Sequence, residues 1–235
     1  MRNYLTFNGI DSRDYGVYIS GPGVFNSPER EYNVASVPGR NGDIIVKGDR
    51  FSNIEVTYPA FIANNFKSNI RDFRSALSAV SGYAELKDSY NTNEFRQAYF
   101  AEGIEVAPTQ SLSAGEFEIV FNCKPQRWFN TGKVELFPSS GSNLPNATNF
   151  DAQPLIHVVG YGDLTIGDVT MTISNAFPHI YIDSEIMDCY SGTENANGAV
   201  TFSGGDFPVL KPGENIIEYS EHITRVSIVP RWWHL

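Results

Sequence analysis

The stretch NNFKSNIRDFRSALSAVSG (residues 64–82) carries the one clear helical pattern of the chain. Its apolar residues recur at spacings of four and three, which places them on one face of a helix. They are Phe66, Ile70, Phe73, Leu77 and Val80. Asn64 or Asn65 could cap the start, and Gly82 lies where a left-handed residue often ends a helix. The pattern predicts a helix over residues 64–81 whose single apolar stripe lies against a sheet.

Segments on both sides of this helix have the alternation of β-strands. Residues 43–58 predict two strands around a turn at Gly48-Asp49. Residues 83–100 predict a hairpin whose turn is Asn91-Thr92-Asn93. Residues 116–123, EFEIVFNC, predict a further strand with alternating aromatic and aliphatic residues on one side. The helix is therefore expected to be an exception within a β-rich first half.

The second half begins after a loop-like stretch, residues 138–154, which is rich in Ser, Asn, Gly and Pro. Beyond it, short strand-like segments alternate with turn residues. These segments are LIHVVG (155–160), VTMTIS (169–174), HIYIDSEI (179–186), GAVTFSG (198–204), NIIEYSE (215–221) and TRVSIVP (224–230). Many short strands with frequent turns are typical of a β-sandwich. We predict a mainly β chain of two β-sandwich domains, residues 1–130 with the packed α-helix and residues 131–235.

The charge of the chain limits its partners. The formal net charge is −10, and it divides into −2 for residues 1–130 and −8 for residues 131–235. Binding to nucleic acid depends on Lys and Arg that neutralise phosphates, so the acidic balance argues against it. It equally argues against docking on an anionic membrane. No segment approaches the roughly 18 apolar residues of a membrane span, and the first residues do not resemble a signal peptide. We expect no membrane insertion and synthesis in a cytoplasm.

Motifs for cofactor, metal or nucleotide chemistry are missing from the sequence. There is no glycine-rich nucleotide loop, no G-x-S-x-G and no H-E-x-x-H. The four histidines, His157, His179, His222 and His234, lack ligand spacing. Cys123 and Cys189 are expected to be buried free thiols. We therefore predict neither a cofactor nor a metal site.

The best cluster of carboxylates is Asp183, Glu185 and Asp188. On a strand, Asp183 and Glu185 would share a face about 6–7 Å apart, a separation suited to a glycosidase pair. Such a pair needs one acid with a raised pKa, usually through apolar enclosure. Ile180, Ile182 and Ile186 would take the opposite face, leaving the acids in solvent. We predict a solvated acidic surface and a protein that is not an enzyme.

The C-terminal residues Pro230-Arg231-Trp232-Trp233 admit two interpretations. Aromatic rings beside an arginine can form a surface for a sugar or a partner protein. Alternatively, one tryptophan completes the core of the sandwich and the other packs beneath the linker, which is the interpretation we favour. Trp232 and Trp233 remain the candidate residues for a partner or glycan surface.

Several segments, taken in order, resemble the distal tail proteins of siphophages over essentially the whole chain. In the first half they are NGIDSRDYGVYISG (8–21), VPGRNGDIIVKGDRFSNIEVTYPAFI (37–62) and FNCKPQRW (121–128). In the second half they are NFDAQPLIHVVGYG (149–162), YIDSEIMDCYSG (181–192), FPVLKPGENIIEY (207–219) and VSIVPRWWHL (226–235). Each segment alone is a weak signal, and the order and spacing make the set specific.

This resemblance implies an assembly and its partners. Copies of the first domain would form a hexameric ring around a channel, and the second domain would be a galectin-like β-sandwich on the outside. The ring would be a virion component at the tail tip, or baseplate. It would join the tail tube protein to the tail-associated fibre or lysin protein, and in some phages it would hold receptor-binding proteins.

The resemblance also implies a hairpin arm that grips the neighbouring copy. We place this arm within residues 26–60, around five residues of the segment that resembles the family. They are Pro38, Gly39, Arg40, Asn41 and Gly42.

Two alternatives remain at this point. The first is a lectin-like module that binds a host-surface glycan through Trp128, Trp232 and Trp233, because a galectin-like fold and exposed aromatic rings would suit a sugar. A fold does not carry sugar binding by itself. The second is a cell-wall hydrolase that uses Asp183 and Glu185, for which the predicted solvated surface offers little support.

Overall fold

A computed structural model describes residues 2–100, 102–108 and 113–235. The chain forms two compact units, one of Met1–Arg127 with Leu235 and the other of Trp128–His234. Within the described residues the chain is mainly β with a single α-helix, which confirms the predicted fold class.

The described residues of the first unit form ten strands, the helix and one turn of 3-10 helix at Ser12–Tyr15. They are β1 (Leu5–Phe7), β2 (Ile10–Asp11), β3 (Val17–Ile19), β4 (Arg30–Ala35), β5 (Ile44–Phe51), β6 (Ile54–Ile62), α1 (Phe66–Ser78), β7 (Ala84–Asp88), β8 (Glu94–Tyr99), β9 (Val106–Pro108) and β10 (Gly115–Cys123). A further strand, β11 (Arg127–Phe129), begins at the last residue of this unit and continues into the second.

One antiparallel sheet builds the core of the first unit, in the order β2-β1-β7-β8-β10-β6-β3, with β9 paired to β10. Strands β8 and β10 pair only near one end, at Tyr99–Asn122 and Ala98–Cys123. The sheet curls there, so that the rings of Phe7 on β1 and Phe121 on β10 meet across the core with centroids 4.9 Å apart. The first unit is therefore a sandwich formed by one folded sheet.

The helix lies against this core with the predicted face. Phe66, Ile70, Phe73 and Leu77 are buried. Its ends differ from the prediction, since it spans Phe66–Ser78 and stops well before Gly82. Asn65 occupies the N-cap position in a left-handed conformation, and its side chain makes no capping hydrogen bond. The amide of Val80 donates to the carbonyl of Leu77, which tightens the last turn into 3-10 geometry and ends the helix early.

Two strand predictions of the first half are confirmed and one turn is wrong. The hairpin at 83–100 is β7 and β8, and EFEIVFNC lies within β10. The predicted turn at Gly48-Asp49 does not exist, because β5 runs through it to Phe51. The ladder between β4 and β5 is irregular at this point, and a side chain on Gly48 would collide with the carbonyl of Glu31. Gly48 thus permits a close approach of two strands at a bulge.

The second unit is a sandwich of two five-stranded sheets with two short 3-10 helices, Asn130–Lys133 and Asn197–Ala199. The strands of these sheets are β12 (Ser142–Asn143), β13 (Leu155–Gly160), β14 (Gly162–Ile166), β15 (Val169–Ile173), β16 (His179–Asp183), β17 (Asp188–Ser191), β18 (Glu194–Asn195), β19 (Val200–Phe202), β20 (Ile216–Tyr219) and β21 (Ile223–Val229). The last strand, β22 (Trp233–His234), pairs with β11 and belongs to neither of these two sheets. One sheet has the order β12-β20-β14-β15-β19 and the other β18-β17-β16-β13-β21.

Aliphatic residues from both sheets form the core of this second unit, including Ile156, Leu164, Ile182 and Ile217. Strand β14 was missed by the sequence prediction, although Leu164 and Ile166 alternate with polar residues. It follows β13 after a single residue but belongs to the other sheet, and the positive φ angles of Gly160 (110°) and Gly162 (119°) make this abrupt passage between the sheets possible.

Candidate functional site

Strands β4 and β5 form a separate two-stranded ribbon in the first unit. Their sequences, REYNVA and IIVKGDRF, contain the β-branched and aromatic residues that favour strands. In contrast to the other long strands of this unit, none of their described side chains belongs to the core cluster. The ribbon therefore exposes strand surface that would ordinarily be covered.

One face of the ribbon is apolar and exposed. Val34 on β4 lies directly opposite Ile45 on β5, and Tyr32 lies two residues before Val34 on the same face. The exposed fractions of the three residues are 54% for Tyr32, 59% for Val34 and 62% for Ile45. We call these three residues the ribbon face. Asn33, Ala35 and Ile44, the partner of Ala35, lie on the opposite face, where Ile44 is 40% exposed, so the most exposed apolar side chains are those of the ribbon face.

The base of the ribbon is tied down by polar contacts. The Asn26 side-chain amide donates to the carbonyl of Glu55 at 2.6 Å, and the Ser52 amide donates to the carbonyl of Glu29 at 3.0 Å. The Arg30 guanidinium lies over the ring of Phe51, 4.3 Å from its centroid. Beyond this base, β4 and β5 are joined to each other by their ladder. An isolated two-stranded hairpin is marginally stable in water, so a second surface is needed to stabilise the exposed part.

The residues predicted for an inter-subunit hairpin, Pro38 to Gly42, lie in the loop that joins β4 to β5. Gly39 and Gly42 have positive φ angles of 81° and 82°, and nothing crowds either residue. The loop makes the reversal, while the apolar surface lies on the strands beside it. Tyr32, Val34 and Ile45 were missed, although the alternation in REYNVA and the run IIV could have indicated them.

The two C-terminal tryptophans have different surroundings. The Trp233 ring stacks on Phe150 with centroids 4.4 Å apart, and its Nε1 donates to the carbonyl of Asp151 at 2.9 Å. Trp232 packs partly against the core of the second unit and also lines an open cleft of about 550 Å³. Trp233 is thus held by contacts within the second unit, and Trp232 lines the cleft.

The predicted solvated acidic face is wrong for Asp183. Strand β16 ends at this residue, whose exposed fraction is 6%, and Glu185 and Ile186 fall in the following turn. Ile186 is consequently exposed instead of facing the core. Asp183 accepts two hydrogen bonds from Arg231, at 2.6 and 2.9 Å. The third acid of the predicted cluster, Asp188, accepts a hydrogen bond from the Asn197 amide at 2.7 Å.

Arg231 determines the direction of the pKa shift of Asp183. Burial opposes the ionisation of Asp183, but the hydrogen bonds and charge of Arg231 outweigh it and lower the pKa of Asp183. Arg231 also lies 3.4 Å from Glu185. A proton-donating acid needs a raised pKa, so the arrangement suits a structural ion pair better than an acid catalyst.

Stacked aromatic rings lie along the outer side of β13 and β16. One of them, His157, should make the stability of the second unit depend on pH. His157 stacks on Tyr181 at 4.3 Å, and its ring lies 5.5 Å from that of His179. Burial, with the charges of His179 and Arg225, lowers the pKa of His157 below 6.5. The unfolded chain then binds this proton more readily, so the second unit should lose stability as the pH falls below about 6.5.

Thermal unfolding of the second unit between pH 7.5 and 5 checks this expectation. All three tryptophans belong to that unit, so their fluorescence reports its unfolding. His157→Gln should flatten the pH dependence. His222→Gln, which alters a histidine stacked on Tyr161 instead, should leave it unchanged. An equal slope in the wild type and His157→Gln would contradict the assignment.

Cys123 and Cys189 are buried free thiols. Burial raises the pKa of each to about 12, so neither is a ready nucleophile. Over residues 2–100, 102–108 and 113–235, no group of three His, Cys, Asp or Glu residues is placed to hold a metal ion. Within the same part of the chain, no helix has the length and apolar character needed to cross a bilayer.

No protein-family model matches the sequence, and no curated protein is similar to it in sequence. Among solved structures, the chain is similar to the Dit protein of phage SPP1, which is described as a paradigm of the hub adsorption apparatus in phages that infect Gram-positive bacteria. The TM-score is 0.70, the sequence identity is 12%, and the match covers 100% of both chains. At this identity, the similarity establishes a shared fold over the whole length.

Proposed function

We propose that this protein is a distal tail protein, a structural hub of a siphophage tail tip whose copies assemble into a ring. The observation that carries the proposal is the ribbon face, an exposed apolar strand surface that no described core residue covers. The full-length fold similarity to a phage hub protein supports the same conclusion. The ribbon of one copy would pack against the first unit of the next, and six copies would close the ring.

The physical basis is the removal of apolar surface from water. Burying an exposed Val or Ile side chain contributes roughly 1.5–3 kcal/mol, and the free edges of a ribbon can add backbone hydrogen bonds to a neighbouring sheet. In a cyclic ring each copy donates one ribbon and accepts one, so every contact is repeated six times.

The proposed role as a hub implies which proteins the ring would contact. One side of the ring would meet the tail tube protein and the other the tail-associated fibre or lysin protein. The galectin-like second unit would lie outside, where it could hold a receptor-binding protein. The location would be the virion tail tip, with the chain made in the cytoplasm of the host bacterium. The role requires no catalysis and no binding to nucleic acid, in keeping with a net charge of −10.

Ring formation by the full chain tests the proposal. The double variant Val34→Thr/Ile45→Thr removes apolar surface from the ribbon face and keeps two β-branched residues that favour strands. We expect it to weaken self-association by at least about tenfold, which corresponds to about 1.4 kcal/mol per contact. Light scattering and negative-stain images, with and without the tail tube protein, measure the effect.

The matched control is Asn33→Thr, which places the same residue on the opposite face of the same strand. It should assemble as the wild type does. A wild-type chain that stays monomeric at high concentration, even with the tail tube protein present, would overturn the ring. A double variant that assembles normally would overturn the role of the ribbon face.

A further inference from the structure

The cleft beside Trp232 is built entirely from residues of the second unit. Its volume of about 550 Å³ lies within the range of roughly 300–1,000 Å³ that small-molecule sites occupy. Three aromatic side chains contribute to its lining: Phe129, Trp232 and His234. Three polar residues also line it: Thr131, Thr148, whose hydroxyl is engaged by Asn146, and Asn149. The cleft therefore combines flat apolar surface with neutral hydrogen-bonding groups.

The aromatic wall is held in place by its own contacts. The rings of Phe129 and His234 are stacked, with centroids 4.8 Å apart and an interplanar angle of 23°. The amide of Phe129 donates to the carbonyl of Trp232 at 2.9 Å. A side chain on Gly132 would collide with the backbone of Trp232, so this glycine permits the close approach. The wall is thus shaped before any ligand arrives, which lowers the entropic cost of binding.

The polar wall is equally constrained. Asn146 is buried, and its amide group donates to the carbonyls of Phe150 and Leu210 at 2.9 and 2.8 Å. Its side-chain oxygen accepts from both the amide and the hydroxyl of Thr148. These bonds fix the loop that presents Thr148 and Asn149. The cleft is therefore flanked by two segments of defined conformation.

The lining contains no Lys, Arg, Asp or Glu, although the second unit is strongly acidic. A charged ligand would find no counter-ion inside the cleft. A sugar ring has one apolar face of C–H groups and a rim of hydroxyls, which match an aromatic wall and neutral donors and acceptors. We propose that this cleft binds one or two pyranose rings of an uncharged oligosaccharide. This assignment goes beyond the role of the ring and does not depend on it.

Glycan-array binding followed by saturation-transfer NMR on the full chain tests the site. The probes are neutral oligosaccharides, including lactose, maltose and chitobiose, with sialyllactose as the charged comparison. Signal is expected from at least one neutral sugar at concentrations up to about 10 mM, which would fill a site with a Kd of about 1 mM. Trp232→Ala should weaken that binding at least about tenfold, and Trp232→Phe should retain part of it.

The matched control is Tyr161→Ala, because Tyr161 is another partly exposed aromatic residue of the second unit and lies outside the cleft. It should bind the sugar as the wild type does. The thermal midpoint of each variant shows whether its second unit is folded. If Trp232→Ala unfolds, Asn149→Ala, which alters an exposed loop residue, replaces it with the same expected loss.

Four outcomes would overturn the proposal. They are the absence of binding to every neutral glycan, stronger binding of the sialylated sugar than of lactose, binding that survives Trp232→Ala in a folded protein, and saturation of the cleft by a proline- or tryptophan-containing peptide in place of sugar. Ring formation is measured separately and is expected to be the same in Trp232→Ala and in the wild type. A failed sugar experiment is thereby distinguished from a failed assembly experiment.

Discussion

Phe121→Ala is expected to destabilise the first unit by about 4 kcal/mol, because truncating a fully buried aromatic ring costs roughly 3–5 kcal/mol. The exposed fraction of Phe121 is 0%. Its ring meets Phe7 at 4.9 Å, Phe100 at 5.8 Å and Tyr58 at 6.3 Å between centroids. These neighbours come from β1, β6 and the residue after β8, so the ring, which lies on β10, joins both halves of the folded sheet. The remaining cavity cannot close without moving strands.

Hydrogen exchange measured by mass spectrometry checks this result, since peptides from β6 and β10 report the first unit alone. Their protection should fall together in Phe121→Ala, while peptides from β13 and β21 keep theirs. Phe25→Ala is the control: Phe25 is 81% exposed, and removing its ring should change stability by less than about 0.5 kcal/mol. Equal protection in Phe121→Ala and the wild type would show that the two halves of the sheet do not depend on this ring.

The burial of Phe121 could be predicted from the sequence. Alternation in EFEIVFNC placed Phe117, Ile119 and Phe121 on one side, and all three are buried. The spacing of the helix residues likewise predicted the buried face of α1. These features follow from the periods of two and about 3.6 residues, which are local properties of a strand and a helix.

Features that depend on contacts between distant segments were not predictable in this way. Gly48 looked like a turn residue, but its role is to let β5 approach the carbonyl of Glu31. Asp183 and Glu185 were placed on one solvated face because the partner, Arg231, lies 48 residues from Asp183. Neither a close approach nor a remote ion pair leaves a periodic signal in the sequence.

The residues of the candidate sites likewise divide into those that the sequence pointed to and those that only the structure revealed. The five residues Pro38 to Gly42 were selected through the family resemblance, and they lie in the loop that joins β4 to β5. The ribbon face was not recognised, because in the sequence Tyr32, Val34 and Ile45 have the character of buried strand residues and only the structure shows that they are exposed. Similarly, only coordinates separate Trp232, which lines the cleft, from Trp233, which stacks on Phe150.

Arg231→Met is expected to destabilise the second unit by about 3 kcal/mol at pH 7. Removing one partner of a buried ion pair leaves an uncompensated charge, which costs roughly 3–5 kcal/mol. The lower end applies because the Arg231 side chain is 23% exposed. Arg231 also has a positive φ angle of 57°, a strained conformation for a residue other than glycine, so the ion pair holds the backbone in place. Tryptophan fluorescence during urea unfolding measures the change.

The difference in stability between the wild type and Arg231→Met should depend on pH. In the wild type the folded-state pKa of Asp183 is lowered, so its contribution to stability is present above the unfolded value of about 3.9 and is lost as the pH falls through the folded value. Without Arg231, burial alone would raise the pKa of Asp183, and protonation would then relieve the penalty. The stability difference between wild type and Arg231→Met should therefore shrink from pH 7 towards pH 4.5.

The double variant Asp183→Asn/Arg231→Met separates the charge from the packing. It has no buried carboxylate, so it should be more stable than Arg231→Met at pH 7 and should show no such narrowing on acidification. Protonation of His157 affects all of these proteins alike and cancels in the differences. A stability difference that stays constant between pH 7 and pH 4.5 would mean that Arg231 acts through the contacts of its side chain and not through its charge. The C-terminal segment would then be held by packing, and the ion pair with Asp183 would be incidental to it.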